Sequence, residues 1–163
     1  MGASVLADAE RGFLAELDRR QVRFLVVGMS AALLQGARGA TEDIDLWFER
    51  LDDERIAEAA RAVGGFYISG TFGMRPPGLG GAGLDDRFDV VTHLDGMDAF
   101  DVEWKRGLET TLDDVPVRLL PLARILASKR AAGRPKDLAQ IPALEEAITV
   151  ASTAEAPDAP RGG

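Results

Sequence analysis

Val22 to Phe48 reads VRFLVVGMSAALLQGARGATEDIDLWF, and the reading of the whole chain starts here. Phe24 to Val27 is a short apolar run that predicts a buried strand. It is followed by a glycine turn (Gly28, Met29, Ser30), a short helix over Ala31 to Gln35, a loop, and a second strand over Ile44 to Phe48. A strand alternates its side chains, so Ile44, Leu46 and Phe48 form one face and Asp43, Asp45 and Trp47 the other. The first face is core. The second sets two carboxylates roughly 6–7 Å apart along the strand, close enough to share divalent cations. Aspartate is a poor strand residue and resists burial unless it is paired or bound to metal. A lone Asp-x-Asp is most simply the polar face of a half-exposed strand. Here, however, Ser30 stands as a candidate N-cap, and a helix N-terminus attracts phosphate. A phosphate cradle facing two carboxylates suits a metal–triphosphate.

Outward from this unit, Val5 to Arg20 has the spacing of an amphipathic helix, with Leu6, Phe13, Leu14 and Leu17 on one side. Asp52 or Asp53 caps a helix through Val63, which Gly64-Gly65 ends, and Phe66 to Ser69 predicts a short strand. Gly70 to Gly83 is glycine-rich without the Gly-Lys-Ser/Thr of a P-loop and with no expected helix after it. It reads as a surface loop, or as a flap whose only charge is Arg75. Arg87 to His93 predicts a strand with Asp89 as a second intruding carboxylate, and His93, the only histidine, at its far end. Two strands that each carry an out-of-place aspartate point to a shared site.

Further on, Ala99 to Arg106 predicts a helix with Trp104 as packing, and Val115 to Leu119 a strand. Pro121 to Ala132 predicts a helix closed by Gly133, and Pro135 to Val150 another that Pro142 should kink or break. One domain over 1–150 and a disordered tail over 151–163 are expected. The fold class is α+β (mixed α/β): a mixed sheet of about four or five strands with helices mainly on one face.

Composition bounds the function. With 163 residues the chain can bury one core, and with no cysteine it has no disulfide, thiol nucleophile or cysteine-bound metal. No signal peptide or membrane span is evident, so a soluble, cytoplasmic protein is the default expectation. A net charge of −8 disfavours non-specific binding to long nucleic acid. One stretch runs against that balance. Arg118, Arg124, Lys129, Arg130, Arg134 and Lys136 follow one another with no acid between them, as a phosphate partner or as a solvated helix face.

Gly28 with Ala31, then Gln35-Gly36 and Thr41-x-Asp43-x-Asp45, resembles the signature of the nucleotidyltransferase (polymerase-β-like) superfamily. It is most similar to small bacterial members grouped with the toxins of type IV toxin–antitoxin systems. SKRAAGRPKDLAQIPALEEA, Ser128 to Ala147, is similar to the C-terminal element of that family. The chain departs from the pattern at Met29, where Gly or Ser is usual, at Gln35 for His, and at Arg38-Gly39 for Pro-Arg. The resemblance implies that Asp43, Asp45 and Asp89 are catalytic and hold Mg²⁺ or Mn²⁺. It implies that Gly28 and Ser30 anchor phosphates, with Lys129, Arg134 and Lys136 beside them. The implied reaction moves an NMP from an NTP to a hydroxyl of RNA, protein or a small molecule, with an antitoxin protein as a partner. Two alternatives stay open: a nucleotide-sugar glycosyltransferase, whose Asp-x-Asp also binds metal, and a non-catalytic binding protein of the same fold.

Overall fold

The computed structural model describes residues 5–70 and 75–155. β1 (Phe24–Val27) is buried along its whole length because it is the middle strand of a five-stranded mixed sheet. The order is β5 (Phe88–Val90), β2 (Ile44–Phe48), β1, β7 (Val115–Leu119), β6 (Leu108–Leu112). β1 runs antiparallel to β2, with Val27 opposite Asp45, and parallel to β7. β2 and β5 are parallel, and β6 and β7 form an antiparallel hairpin.

β2 alternates as its sequence requires, with Ile44, Leu46 and Phe48 buried and Asp45 and Trp47 only partly so. The buried face carries α1 (Asp8–Arg19), whose Phe13 meets Phe88 at 5.4 Å between ring centroids. It also carries Tyr67, whose ring packs on Phe48. α3 (Glu54–Ala62) lies against α1 and buries Ile56, Ala59 and Ala60. Its cap is Asp53, whose carboxylate accepts the Arg55 N–H. On the opposite face Trp47 packs edge-on against Phe100 of α5 (Phe100–Arg106).

Several elements differ from the sequence reading. The helix after β1, α2, begins at Gly28 and runs to Leu34, so Val27 is its N-cap and Ser30 lies within its first turn. The strand expected over Arg87 to His93 is shorter. A helical turn, α4 (Leu84–Arg87), opens directly after Gly83, and only Phe88–Val90 pairs with β2. The glycine-rich segment is not all loop: β4 (Gly78–Gly80) pairs with β3 (Phe66–Ile68) in a separate two-stranded sheet. Residues 71–74 of the expected flap lie outside the described residues.

β6 has no counterpart in the sequence reading. It turns into β7 through Asp113 and Asp114, both at positive φ, the conformation that two-residue hairpins need. α6 (Leu122–Ala132) ends at Gly133, φ +64°, as expected, with Pro121 as its N-cap. α7 (Pro135–Glu155) passes through Pro142 unbroken and continues beyond Val150. Pro142 is exposed, as is Leu138, whose carbonyl it deprives of a partner, so water can take that bond at the cost of a bend. Residues 156–163 of the expected tail lie outside the described residues. Among the described residues no helix is long and apolar enough to cross a membrane.

Candidate active site

The site forms where β1 hands the chain to α2. Gly28 sits at φ +61°, a conformation that L side chains resist. The Asp45 carboxylate packs against it so closely that a β-carbon there would stand 2.5 Å from Asp45 Oδ2. Ser30, buried in the first turn of α2, donates its hydroxyl to the Val27 carbonyl (2.7 Å) and accepts the Asp45 N–H (3.0 Å). The expected N-cap serine is therefore a staple between α2 and β2. Its proton is committed to the protein, and what α2 offers a phosphate is backbone. Just before β2 the Asp43 N–H reaches the Thr41 hydroxyl (3.3 Å), closing a local turn.

Asp89 is the direct cross-strand partner of Asp45 in the β2–β5 register. The Asp43 carboxyl lies close enough to Asp89 to raise its pKa. All three aspartates thus meet at one end of the sheet. Burial pushes the Asp45 carboxyl up to about 6, and the facing Asp89 adds to the effect while Lys129 opposes it. Asp89 is also raised, by burial and then by the neighbouring Asp43 carboxyl, with Lys136 opposing. Carboxylates crowded in this way resist ionisation unless positive charge is brought among them.

The donor set fits a divalent cation. Hard carboxylate oxygens suit Mg²⁺ or Mn²⁺, and Gly28 leaves Asp45 room that a β-carbon would fill. Among the described residues no group of three or more His, Cys, Asp or Glu side chains is placed to hold a metal ion by itself. Mg²⁺ does not need one, because it keeps waters and takes one or two carboxylates together with substrate phosphates.

The basic side is delivered by α6 and α7, and sequence reasoning missed what aims it. Gln35, at the end of α2, donates to the Leu120 carbonyl (2.8 Å) and accepts the Leu122 N–H (3.2 Å), which pins the start of α6. Lys129 of α6 bears on Asp45, and Lys136 of α7 on both Asp45 and Asp89. Asp137, 1% exposed, takes Lys129 Nζ at 3.5 Å and Arg134 Nε at 2.6 Å. The hydrogen bond from Arg134, with Lys129 beside it, holds the Asp137 carboxyl below its ordinary value. The guanidinium of Arg134, an expected phosphate contact, is thereby turned to Asp137. The signal for Asp137 was its place in the Arg-x-Lys-Asp run.

Glu103 was also missed. It is fully buried and takes Arg124 Nη2 at 2.6 Å, Arg106 Nη1 at 3.3 Å and the Asp98 N–H at 3.0 Å. Burial works to raise its carboxyl, but these bonds outweigh it and hold the group below its ordinary value. The cluster locks α5 to α6. His93 is exposed and pairs with Asp95 at 2.9 Å, apart from the aspartates. Trp104 packs as expected, stacked on Phe100 with the Arg118 guanidinium 4.7 Å from its ring centroid.

No protein-family model matches the sequence, and no curated protein matches it. Two solved structures are similar to the chain. One is the solution structure of the antibiotic-resistance factor ANT(2″)-Ia, with a TM-score of 0.54 and 17% identity over 90% of this chain and 84% of that one. The other is the crystal structure of ANT(2″)-Ia in complex with adenylyl-2″-tobramycin, with a TM-score of 0.52 and 16% identity over 88% and 87%. At such identities the shared property is architecture, so the five-stranded mixed sheet and its helices make a nucleotidyltransferase-like fold.

Proposed function

We propose that this chain is a Mg²⁺- or Mn²⁺-dependent nucleotidyltransferase that moves an NMP from an NTP to an acceptor hydroxyl. The observation that carries the reading is the β2–β5 register, which sets Asp45 opposite Asp89, with the Asp43 carboxyl bearing on the latter. The similar structure that contains an adenylylated aminoglycoside supports it.

Asp43, Asp45 and Asp89 would hold the metal, which when bound neutralises triphosphate charge and acidifies the acceptor hydroxyl. Gly28 lets the Asp45 carboxylate pack against the backbone at the start of α2, with Ser30 bracing that turn. Lys129 and Lys136 supply positive charge on the facing side, while Arg134 is spent on Asp137 at the α6–α7 junction. The acceptor oxygen bonds to the α-phosphorus as the bond to pyrophosphate breaks. The proton of the acidified hydroxyl leaves to solvent water. Positioning and charge stabilisation supply most of the rate.

The candidate acceptors fall into three classes: a small molecule, RNA or protein. The net charge of −8 and the tobramycin-bearing neighbour favour a small, hydroxyl-rich molecule. The resemblance to toxin–antitoxin members favours RNA or protein, with an antitoxin as partner. A cytoplasmic location fits each of these. A non-catalytic binding role is the second reading, favoured by Met29 in the corner and by the internal commitment of the Ser30 hydroxyl.

The test incubates the protein with each labelled NTP, Mg²⁺, a cell extract and, separately, an aminoglycoside, beside Asp45→Ala. The expected result is label on an acceptor with the unmodified protein alone. Label on no acceptor with either protein refutes transfer and leaves the binding role.

A further inference from the structure

Arg87 closes α4 immediately before β5, two residues ahead of Asp89. Its guanidinium makes two different contacts. Nε donates to Glu10 Oε1 of α1 at 2.9 Å, and Nη1 donates to the Glu42 carbonyl, also at 2.9 Å. Glu42 directly precedes Asp43. Glu10 is itself buried, and its Oε1 also accepts the Ala7 N–H at 3.1 Å, so the anchor is fixed by the first turn of α1. Phe13 on Phe88 seats the same helix on β5. One side chain therefore ties together three elements: the helix that covers the sheet, the loop that delivers Asp43 and the strand that carries Asp89.

We propose that Arg87 is a positioning residue, whose bridge between Glu10 and the Glu42 carbonyl holds Asp43 and Asp89 at the spacing a divalent cation needs. The inference rests on the nucleotidyltransferase reading for what the spacing serves, but the clamp itself is a matter of geometry. Crowded carboxylates repel, and β2 and β5 meet here at the end of a short parallel pairing, so the strand ends would drift apart without a tie. The tie must act through the backbone, because the Arg87 fork is spent on Glu10 and on a carbonyl rather than on the aspartates. A planar fork can hold two acceptors in fixed directions, which a lysine ammonium cannot.

The test compares Arg87→Lys with the unmodified protein and with Arg19→Ala, which removes an exposed cation elsewhere. Lysine keeps a charge beside Glu10 and so preserves folding, where alanine would leave a buried carboxylate unpaired. Amide exchange reads the strand ends without reference to activity. Mn²⁺ binding, followed by electron paramagnetic resonance, reads the cation site.

Arg87→Lys is expected to speed exchange at Asp43 to Asp45 and Phe88 to Val90, while leaving the β6–β7 hairpin unchanged. Its Mn²⁺ affinity should fall about tenfold, the lower end for a residue that supports metal ligands. Arg19→Ala should do neither. Unchanged exchange overturns the proposal, and so does faster exchange with Mn²⁺ affinity kept. Faster exchange in the variant of a protein that binds no Mn²⁺ upholds the clamp and removes the nucleotidyltransferase reading instead.

Discussion

Replacing Asp45 by asparagine should make the metal-free protein more stable while abolishing its chemistry. Asp45 is pushed up from 3.8 to about 6 by burial and by Asp89, so its ionised form is disfavoured in the folded state. A rise of that size corresponds to about 3 kcal/mol of charge cost. Asp45 is only partly buried, and solvent screening reduces the figure to ~1–2 kcal/mol.

The sign follows from proton binding. Between pH 4 and 6 the folded state holds a proton on Asp45 that the unfolded chain has released, so stability falls as pH rises through this window. The cost is absent below the unfolded value and complete above the folded one. Asp45→Asn, which carries no charge at any pH, should therefore melt roughly 2–8 °C higher at pH 7.5, taking about 2–4 °C per kcal/mol for a domain of this size. The difference should shrink towards zero at pH 4. Thermal melts by circular dichroism with chelator present would measure it. Mg²⁺ with nucleotide should then raise the melting temperature of the unmodified protein and leave the variant unmoved. An asparagine variant that melts no higher at pH 7.5, or gains as much at pH 4 as at pH 7.5, refutes the account of charge crowding.

Two further outcomes follow from contacts at the same site. Gly28→Ala should cost about 1–2 kcal/mol, because a β-carbon at φ +61° is strained and meets Asp45 Oδ2 at 2.5 Å; chemical denaturation would measure the loss, and the Mg²⁺–nucleotide melting shift should shrink with it. Asp137→Ala leaves the half-buried Lys129 without its buried partner, while the exposed Arg134 turns to water, and should cost about 1–2 kcal/mol. Because the Asp137 carboxyl is held low, its contribution is present above its ordinary value near 3.8 and is lost as pH falls through the folded value. The melting difference between Asp137→Ala and the unmodified protein should accordingly narrow in strong acid.

Much of this site was legible locally. The alternation of Asp43, Ile44, Asp45, Leu46, Trp47 and Phe48 is a property of a strand's own pleat, so the faces of β2 follow from the residues alone. The glycine at the corner was readable for the same reason, since one residue's φ is a local quantity. Ser30 was misassigned because two local roles compete for a serine near a helix start, and the choice depended on where Asp45 N–H came to lie. β6 was invisible because Leu108 to Thr111 are exposed on an edge strand and carry no apolar alternation.

The sequence by itself determined the kinds of group present: three aspartates in strand settings, a glycine turn, and a basic run free of acids. These depend on short-range periods and residue chemistry, which act over a few bonds. Only the tertiary structure decided that Asp45 stands opposite Asp89 and that Asp137 and Gln35 aim the basic helices. It alone decided that Arg87 ties α1 to both strand ends. All of those pairings but the local one at Asp137 join residues far apart in the chain, and their register is set by how buried faces pack, a property no single segment contains.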